Sequence, residues 1–186
     1  MKKFELTNEF ITNMFGTKLF RIRALVEFGD VEAGELGGYV EKESNLGHDD
    51  NAWVYDNAWV YGDAQVSGDA LVYGNARVYG NAWVYGNAWV YGNAWVYGNA
   101  LVCSDEDYAY AHGFGSVNRT TTFFRLKDGG VGVRCGCFYG TLAQFRDKIR
   151  ETHGESAIAE EYLDLAALME KRFRRTGNEQ KTEEES

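Results

Sequence analysis

A repeat in the middle of the chain carries its clearest pattern. From Asn51 to Ser104, nine hexapeptides follow one another without a gap, with alanine at the second position and valine at the fourth position of each. Within a unit such as Asn-Ala-Trp-Val-Tyr-Gly, small or apolar residues alternate with aromatic ones, which is the period of a β-strand. The Gly-Asn and Gly-Asp junctions are typical of turns. Each hexapeptide is therefore expected to form one short strand and one corner, and the stacked units predict a parallel β-solenoid.

The repeat also resembles the hexapeptide of left-handed parallel β-helices, in which a small residue follows an aliphatic one by four positions. Val54 with Ala58 and Val60 with Ala64 obey this rule. The resemblance implies that three hexapeptides make one triangular coil and that residues 18 positions apart stack. The predicted fold class is mainly β: a left-handed parallel β-helix of about three to four coils, with a β-containing N-terminal cap and a small ββαα C-terminal cap.

The interior of such a coil is narrow, so the valines and alanines are expected inside and the aromatic residues outside, since Trp and Tyr would overpack it. A wider solenoid with buried aromatics is the alternative. Taking hexapeptides by threes assigns Trp53, Leu71 and Trp89 to a first face, Trp59, Arg77 and Trp95 to a second, and Gln65, Trp83 and Leu101 to a third. The outward aromatic residues, proposed as protein-binding, are Trp53, Tyr55, Trp59, Tyr61, Tyr73, Tyr79, Trp83, Tyr85, Trp89, Tyr91, Trp95 and Tyr97.

Residues 1–50 are predicted to form the N-terminal cap and the first partial coil. Alternation of Phe20, Ile22, Ala24 and Val26 indicates a strand over Lys18–Val26. Val40 and Leu46 are six residues apart and are expected to begin the first coil, and 51–104 form the repeat itself.

Residues 105–175 are predicted to form the C-terminal cap. Two strands, Thr120–Lys127 and Val131–Tyr139, flank Asp128-Gly129-Gly130, which is a hairpin signal. A capping box begins at Thr141 and predicts a helix ending near His153, and a second helix is expected over Ser156–Arg175. Inward-facing positions are Leu142, Phe145 and Ile149 on the first helix and Ile158, Tyr162, Leu165 and Met169 on the second. Residues 176–186 are predicted to be a disordered acidic tail.

Nearly the whole chain resembles a group of hexapeptide-repeat proteins encoded by phages and prophages. The resemblance implies a cytoplasmic protein of an infected or lysogenic bacterium, with an accessory role toward the host such as inhibition of a defence system. Besides the repeat, it rests on LFRIRAL at 19–25, FGDV at 28–31, GGYVE at 37–41, CGCFYGTL at 135–142 and ETHG at 151–154.

Composition narrows the function classes. The formal net charge of −9 over 186 residues disfavours a nucleic-acid binder that neutralises phosphates. Three cysteines, an odd number, fit a reducing compartment better than a disulfide framework. Neither a run of 18 apolar residues nor an apolar leader segment occurs, so no membrane span or secretory signal is expected.

Candidate catalytic chemistry lies outside the repeat. An acyltransferase-like enzyme needs a histidine base, and the candidates are His48, beside two aspartates, and His112. Three histidines far apart in sequence do not favour a zinc site, and Cys135 and Cys137 are expected to be buried free thiols. No metal, cofactor or catalytic residue is therefore predicted.

The remaining candidate for a functional feature is the surface formed by the outward Trp and Tyr residues of the repeat. If each of the twelve residues exposes about 100 Å², their sum of about 1,200 Å² exceeds the roughly 800 Å² that a standard interface takes from one partner. The expected function is non-enzymatic binding, either to itself as a homodimer or homotrimer or to a host bacterial protein. Three alternatives stay open: aromatic ladders that only stabilise the solenoid, an acyltransferase-like enzyme, and a self-assembling structural protein.

Overall fold

The computed structural model describes the backbone of residues 1–115 and 117–184, with side chains up to Thr176. The chain divides into two compact units, residues 1–105 and the part from Glu106 onward. The first contains the solenoid, and the second contains a sheet and two helices. Among the described residues no helix is long and apolar enough to cross a membrane.

The first unit begins with three strands, β1 (Phe4–Thr12), β2 (Lys18–Ala24) and β3 (Leu36–Val40). β1 and β2 form an antiparallel hairpin, and β2 pairs antiparallel with β3. The sequence predicted β2 within two residues of its end but did not predict β1. The alternation of Phe4 and Leu6 with polar residues ends after two apolar positions, and a bulge between Leu6 and Phe10 interrupts the register.

The repeat forms nine two-residue strands whose second residue is always the valine. They are β4 (Trp53–Val54), β5 (Trp59–Val60), β6 (Gln65–Val66), β7 (Leu71–Val72), β8 (Arg77–Val78), β9 (Trp83–Val84), β10 (Trp89–Val90), β11 (Trp95–Val96) and β12 (Leu101–Val102).

Parallel pairing of strands three apart along the chain builds three faces. The first face is β4-β7-β10, the second is β3-β5-β8-β11, and the third is β6-β9-β12. Trp59 pairs with Arg77 and Arg77 with Trp95, so residues 18 positions apart stack as predicted. The backbone bonds run between coils, for example from Arg77 N to Ala94 O at 2.9 Å. The result is a parallel β-solenoid of about four coils, of which the third comprises β8, β9 and β10.

The interior of the solenoid contains the alanines and valines that the sequence analysis placed there. All nine alanines and all nine valines of the repeat are completely buried. Val40 and Leu46 begin the first coil, as predicted, because Val40 pairs with Val60 and Leu46 bridges to Val66.

The corners between strands bring successive coils very close together. Gly80 has a φ of +71°, and a Cβ on it would lie 2.9 Å from the backbone nitrogen of Gly98 in the next coil. Glycine is required here for two reasons: the backbone is in the left-handed region, and the backbone of the next coil leaves no space for a Cβ.

The second unit contains more strands than predicted. Its antiparallel sheet has four strands in sequence order, followed by two helices. They are β13 (Tyr108–Phe114), β14 (Arg119–Arg125), β15 (Val131–Cys135), β16 (Phe138–Thr141), α1 (Leu142–His153) and α2 (Ala157–Glu184).

The hairpin around Gly129 is confirmed, but the second predicted strand divides into β15 and β16. Gly136, with a φ of +57°, turns the chain between them. The capping box of α1 is confirmed, because Gln144 N donates to Thr141 Oγ1 at 3.3 Å and Thr141 N donates to Gln144 Oε1 at 2.9 Å.

Helix α2 continues to Glu184, through most of the segment predicted to be a disordered tail; residues 185–186 lie outside the described residues. Glu, Gln and Lys dominate this stretch and are good helix formers, so a polar composition does not end the helix.

The core of the second unit lies between the sheet and the helices. The predicted inward residues of α1 and α2 are buried there, except Ile158, which is half-buried at the edge. The buried carboxylate of Asp107 accepts from Arg125 Nε at 2.9 Å, and the same guanidinium donates to Thr176 Oγ1 at 2.8 Å.

Candidate functional site

The register places the twelve aromatic residues in the columns that the sequence predicted, but their environments differ. Leu71 pairs with both Trp53 and Trp89, and Trp83 pairs with both Gln65 and Leu101. Burial and ring contacts then separate the twelve into core, ladder and exposed residues.

Trp53 belongs to the core, so its prediction as a surface residue is wrong. It is completely buried, with its ring edge-on to Phe28 at 5.4 Å and to Phe4 at 6.2 Å. A Cβ on Gly37 would lie 2.7 Å from the Trp53 ring, so that glycine makes room for the indole. The N-terminal strands and loop cover this end of the first face, and Tyr55 beside it is half-buried.

On the second face the tyrosines form a continuous stack. The rings of Tyr61 and Tyr79 are 4.8 Å apart and nearly parallel, and those of Tyr79 and Tyr97 are 4.3 Å apart. All three are half-buried. On the first face, Tyr73 stacks on Tyr91 at 5.4 Å.

Arg77 lies between two tryptophans on the second face. Its guanidinium is 4.1 Å from the ring centroid of Trp59 and 4.8 Å from that of Trp95. This cation–π sandwich holds both indoles and leaves them half-buried. The second face is therefore dominated by stacking within the solenoid, which is the ladder alternative raised by the sequence.

Four of these twelve aromatic residues are substantially exposed, and all four lie on two consecutive hexapeptides of the third coil. Trp83 is 46% exposed, Tyr85 37%, Trp89 47% and Tyr91 40%; these four residues are called the aromatic patch below. With about 150–250 Å² for each side chain, they expose roughly 350 Å² together, far below the 1,200 Å² expected from the sequence.

The column neighbours explain the exposure of Trp83, Tyr85 and Trp89, whereas Tyr91 stacks on Tyr73 and is nevertheless 40% exposed. Trp83 and Tyr85 lie one coil above Gln65 and Ser67, and Trp89 lies above Leu71, which is smaller than an indole. None of the three hexapeptides over 81–98 contains a charged residue, although the whole chain has a net charge of −9. The aromatic patch therefore belongs to uncharged hexapeptides with asparagines at their corners, and Asp105 Oδ1 accepts from Trp89 N at 2.8 Å beside it.

A second exposed apolar feature was missed by the sequence prediction. Met14 and Phe15 occupy the turn between β1 and β2 and are 85% and 76% exposed. The turn is held by Asn13 Oδ1, which accepts from Phe15 N at 2.9 Å and from Thr17 N at 3.0 Å. The sequence did contain a signal for this feature, because Met14 and Phe15 are two large apolar residues next to Gly16, a residue typical of turns.

The two candidate catalytic histidines, His48 and His112, make hydrogen bonds with neighbouring residues. His48 Nδ1 accepts from Lys3 N at 3.1 Å, its Nε2 lies 2.9 Å from Glu43 Oε1, and its ring stacks on Phe4 at 4.4 Å. Both ring nitrogens of His48 are therefore engaged. His112 lies on β13 with Nδ1 2.9 Å from Thr120 Oγ1.

Lys3 is buried beside this histidine. Its ammonium donates to the carbonyls of Ala52 at 2.8 Å and Asp50 at 3.2 Å, and it lies 4.5 Å from the centroid of the Phe28 ring. Burial lowers the pKa of Lys3 to about 8, against the opposing field of nearby aspartates. The amine serves to fasten the N-terminus onto the start of the solenoid.

The two thiols of the second unit differ from the sequence prediction. Cys135 is half-buried, with Sγ 3.2 Å from Thr121 Oγ1, while Cys137 is exposed because the Gly136 turn separates it from the strand. Among the residues that the structure describes, no group of three or more His, Cys, Asp or Glu side chains is placed to hold a metal ion.

Comparison with known proteins agrees with the solenoid. Four overlapping segments, 64–77, 70–86, 76–92 and 82–98, match the family model of the YdcK beta-solenoid repeat. The match covers less than half of the chain and lies wholly within the repeat. No curated protein matches the chain. What these comparisons establish is a β-solenoid repeat at 64–98.

Proposed function

We propose that the chain is a non-enzymatic binding protein that associates with a second copy of itself through the aromatic patch. The observation that carries this proposal is the exposure of Trp83, Tyr85, Trp89 and Tyr91 on adjacent faces of one coil. Trp and Tyr are the residue types that most often dominate binding energy at protein interfaces. Trp83 and Trp89 lie on short parallel strands of two different sheets of the solenoid, which positions their backbones before docking.

A second copy is the occupant that the charge distribution favours. A chain with a net charge of −9 repels its own copies over most approaches. The hexapeptides over 81–98 carry no charge, and the nearby carboxylate of Asp105 accepts a hydrogen bond from Trp89 N at 2.8 Å, so two copies that meet on these segments oppose few like charges. About 350 Å² of aromatic surface per copy is below the standard interface size, so we propose a weak dimer in the micromolar range.

A host protein is the other candidate occupant. The resemblance to phage and prophage hexapeptide-repeat proteins supports a role in the cytoplasm of a bacterial host, where the same patch would bind and inhibit a protein of a defence system. Because both ring nitrogens of His48 are engaged, His48 is not favoured as the base of the acyltransferase-like alternative.

Sedimentation velocity across the micromolar range tests the proposal. The interface variant is Trp83→Gln with Trp89→Arg. Glutamine already occupies the equivalent position at Gln65, and arginine does so at Arg77, so the repeat itself accommodates both residues. The control is Phe15→Gln, which removes an exposed aromatic side chain away from the repeat.

We expect the wild type and the Phe15→Gln control to form dimers as concentration rises, and the interface variant to stay monomeric with an unchanged circular dichroism spectrum. A dimer that persists in the interface variant would refute the role of the patch. A wild type that stays monomeric but captures a host protein, lost from the interface variant, would replace the second copy with that partner.

A further inference from the structure

The second unit contains a cavity of about 270 Å³ that the binding function of the solenoid does not use. Its described lining residues include Cys135 and Cys137, on either side of Gly136, and residues of both helices. Phe138, Phe145, Ile149 and Tyr162 form its apolar wall, and Arg119, Lys148 and His153 are its basic residues.

The apolar wall is part of the packed core. Phe145, Ile149 and Tyr162 are each at least nine-tenths buried. The Phe145 ring meets that of Tyr162 edge-on at 5.9 Å and lies 5.4 Å from that of Phe138. His153, at the end of α1, stacks on Tyr162 at 5.9 Å. These contacts fix the cavity shape before any ligand enters, which is typical of small-molecule sites.

The charges that line the cavity are unlike those of the whole chain, although Glu161, next to Tyr162, accepts from Gly115 N at 2.8 Å. No carboxylate is among the described residues that line it, although acids outnumber bases by 28 to 19 over the sequence. Lys148 is partly neutralised by Glu151, whose Oε2 lies 2.9 Å from its ammonium on the exposed side. Arg119 has no ion pair within the described side chains.

Two glycines leave room for polar groups near the cavity, the Arg119 guanidinium and the Tyr162 hydroxyl. A Cβ on Gly136 would collide with the Arg119 guanidinium, so the absent side chain gives the guanidinium its place. Likewise a Cβ on Gly115 would collide with the Tyr162 hydroxyl. The Tyr162 hydroxyl donates to the carbonyl of Phe114 at 3.4 Å, and burial raises the pKa of Tyr162 to about 12.

We infer that this cavity binds a small organic anion, with its acidic group at Arg119 and Lys148 and a flat apolar body against Phe138, Phe145 and Ile149. A guanidinium pairs well with either a carboxylate or a phosphate, so the shared chemistry is an anionic head on an aromatic or aliphatic body. The volume limits the body to about one or two rings. The site shares no residue with the aromatic patch, and the inference does not depend on self-association.

Calorimetric titration of the full chain with 2-naphthoate, 2-naphthyl phosphate and the neutral 2-naphthalenemethanol tests this inference. We expect one or both anions to bind at least tenfold more tightly than the neutral compound, since a hydrogen bond to a charged group is stronger than a neutral one. The better anion identifies the acidic group that the site prefers. Equal affinity for all three compounds, or no binding by any, would overturn the inference.

Variants and spectra locate the binding. Arg119→Gln should weaken anion binding by about tenfold, whereas Arg174→Gln on the exposed side of α2 and the Trp83→Gln/Trp89→Arg variant should not. The chain has only four isoleucines, so methyl resonances give a simple map. Titration should shift the Ile149 methyl and leave Ile11 and Ile22 unchanged. An unaltered Ile149 signal during binding would place the ligand elsewhere and refute the proposed site.

Discussion

The contact between corner glycines of successive coils gives the most direct test of the solenoid, through Gly80→Ala. Gly80 has a φ of +71°, and the added Cβ would lie 2.9 Å from Gly98 N and 3.3 Å from Gly98 Cα. An L-residue in the left-handed region costs about 1–2 kcal/mol. Forcing a methyl group against a backbone that is itself hydrogen-bonded adds about 1–3 kcal/mol. The free energy of unfolding should therefore fall by about 2–5 kcal/mol.

A matched glycine separates the two costs. Gly16 lies in the same unit with a φ of +81°, but a Cβ there would meet no atom within 4 Å. Gly16→Ala should therefore lose only the backbone cost of about 1–2 kcal/mol. Urea unfolding followed by circular dichroism measures both variants against the wild type. Equal losses would show that the coils do not approach each other as closely as described, and would refute the steric explanation for glycine in the repeat.

Three further predictions concern buried groups. Because the pKa of Lys3 is lowered to about 8 from an ordinary 10.5, the unfolded chain binds the proton more tightly, so stability should rise as pH increases between these values. Lys3→Met should flatten that rise in urea unfolding measured at a series of pH values, and an unchanged slope would contradict the assignment. Asp107→Asn removes one partner of a buried ion pair with Arg125 and should destabilise the second unit by about 3 kcal/mol in chemical unfolding; a loss below about 1 kcal/mol would refute this. Trp53→Ala should cost about 3–5 kcal/mol, and clearly more than Trp89→Ala, in the same assay, because Trp53 is fully buried and Trp89 is 47% exposed.

The fold of the repeat was predictable because the residues within each hexapeptide determine its strand and its corner. Strand period, corner glycine and the Val-to-Ala spacing are all local, and they repeat nine times. The coil register followed from one rule about units of three, and the pairs such as Val60 with Val78 agree with it. The capping box at Thr141 and the apolar positions of α1 are equally local signals, and they were also confirmed.

What the sequence did not predict depends on contacts between distant segments. Trp53 and Trp89 stand in the same Asn-Ala-Trp-Val-Tyr context, yet Phe4 and Phe28 bury the first and not the second. Strand β1 is held mainly by its pairing with β2, and its own pattern is weak. The cavity of the second unit draws on β14, the Gly136 turn, α1 and α2, so no single segment of sequence describes it.

The exposure of the tryptophans of the aromatic patch depends neither on one hexapeptide alone nor on a distant segment. It depends on the residue 18 positions away, which stacks on the same face of the solenoid. The hexapeptides beginning at Asn81, Asn87 and Asn93 are identical, so nothing within them distinguishes their tryptophans. Trp95 is half-buried because it packs against Arg77 in the coil below, whereas Trp83 stacks above Gln65. For these two tryptophans, exposure therefore follows the residue one coil away. Replacing a column neighbour by a smaller or a larger residue should therefore expose or cover the aromatic ring 18 positions away without altering the hexapeptide that presents that ring.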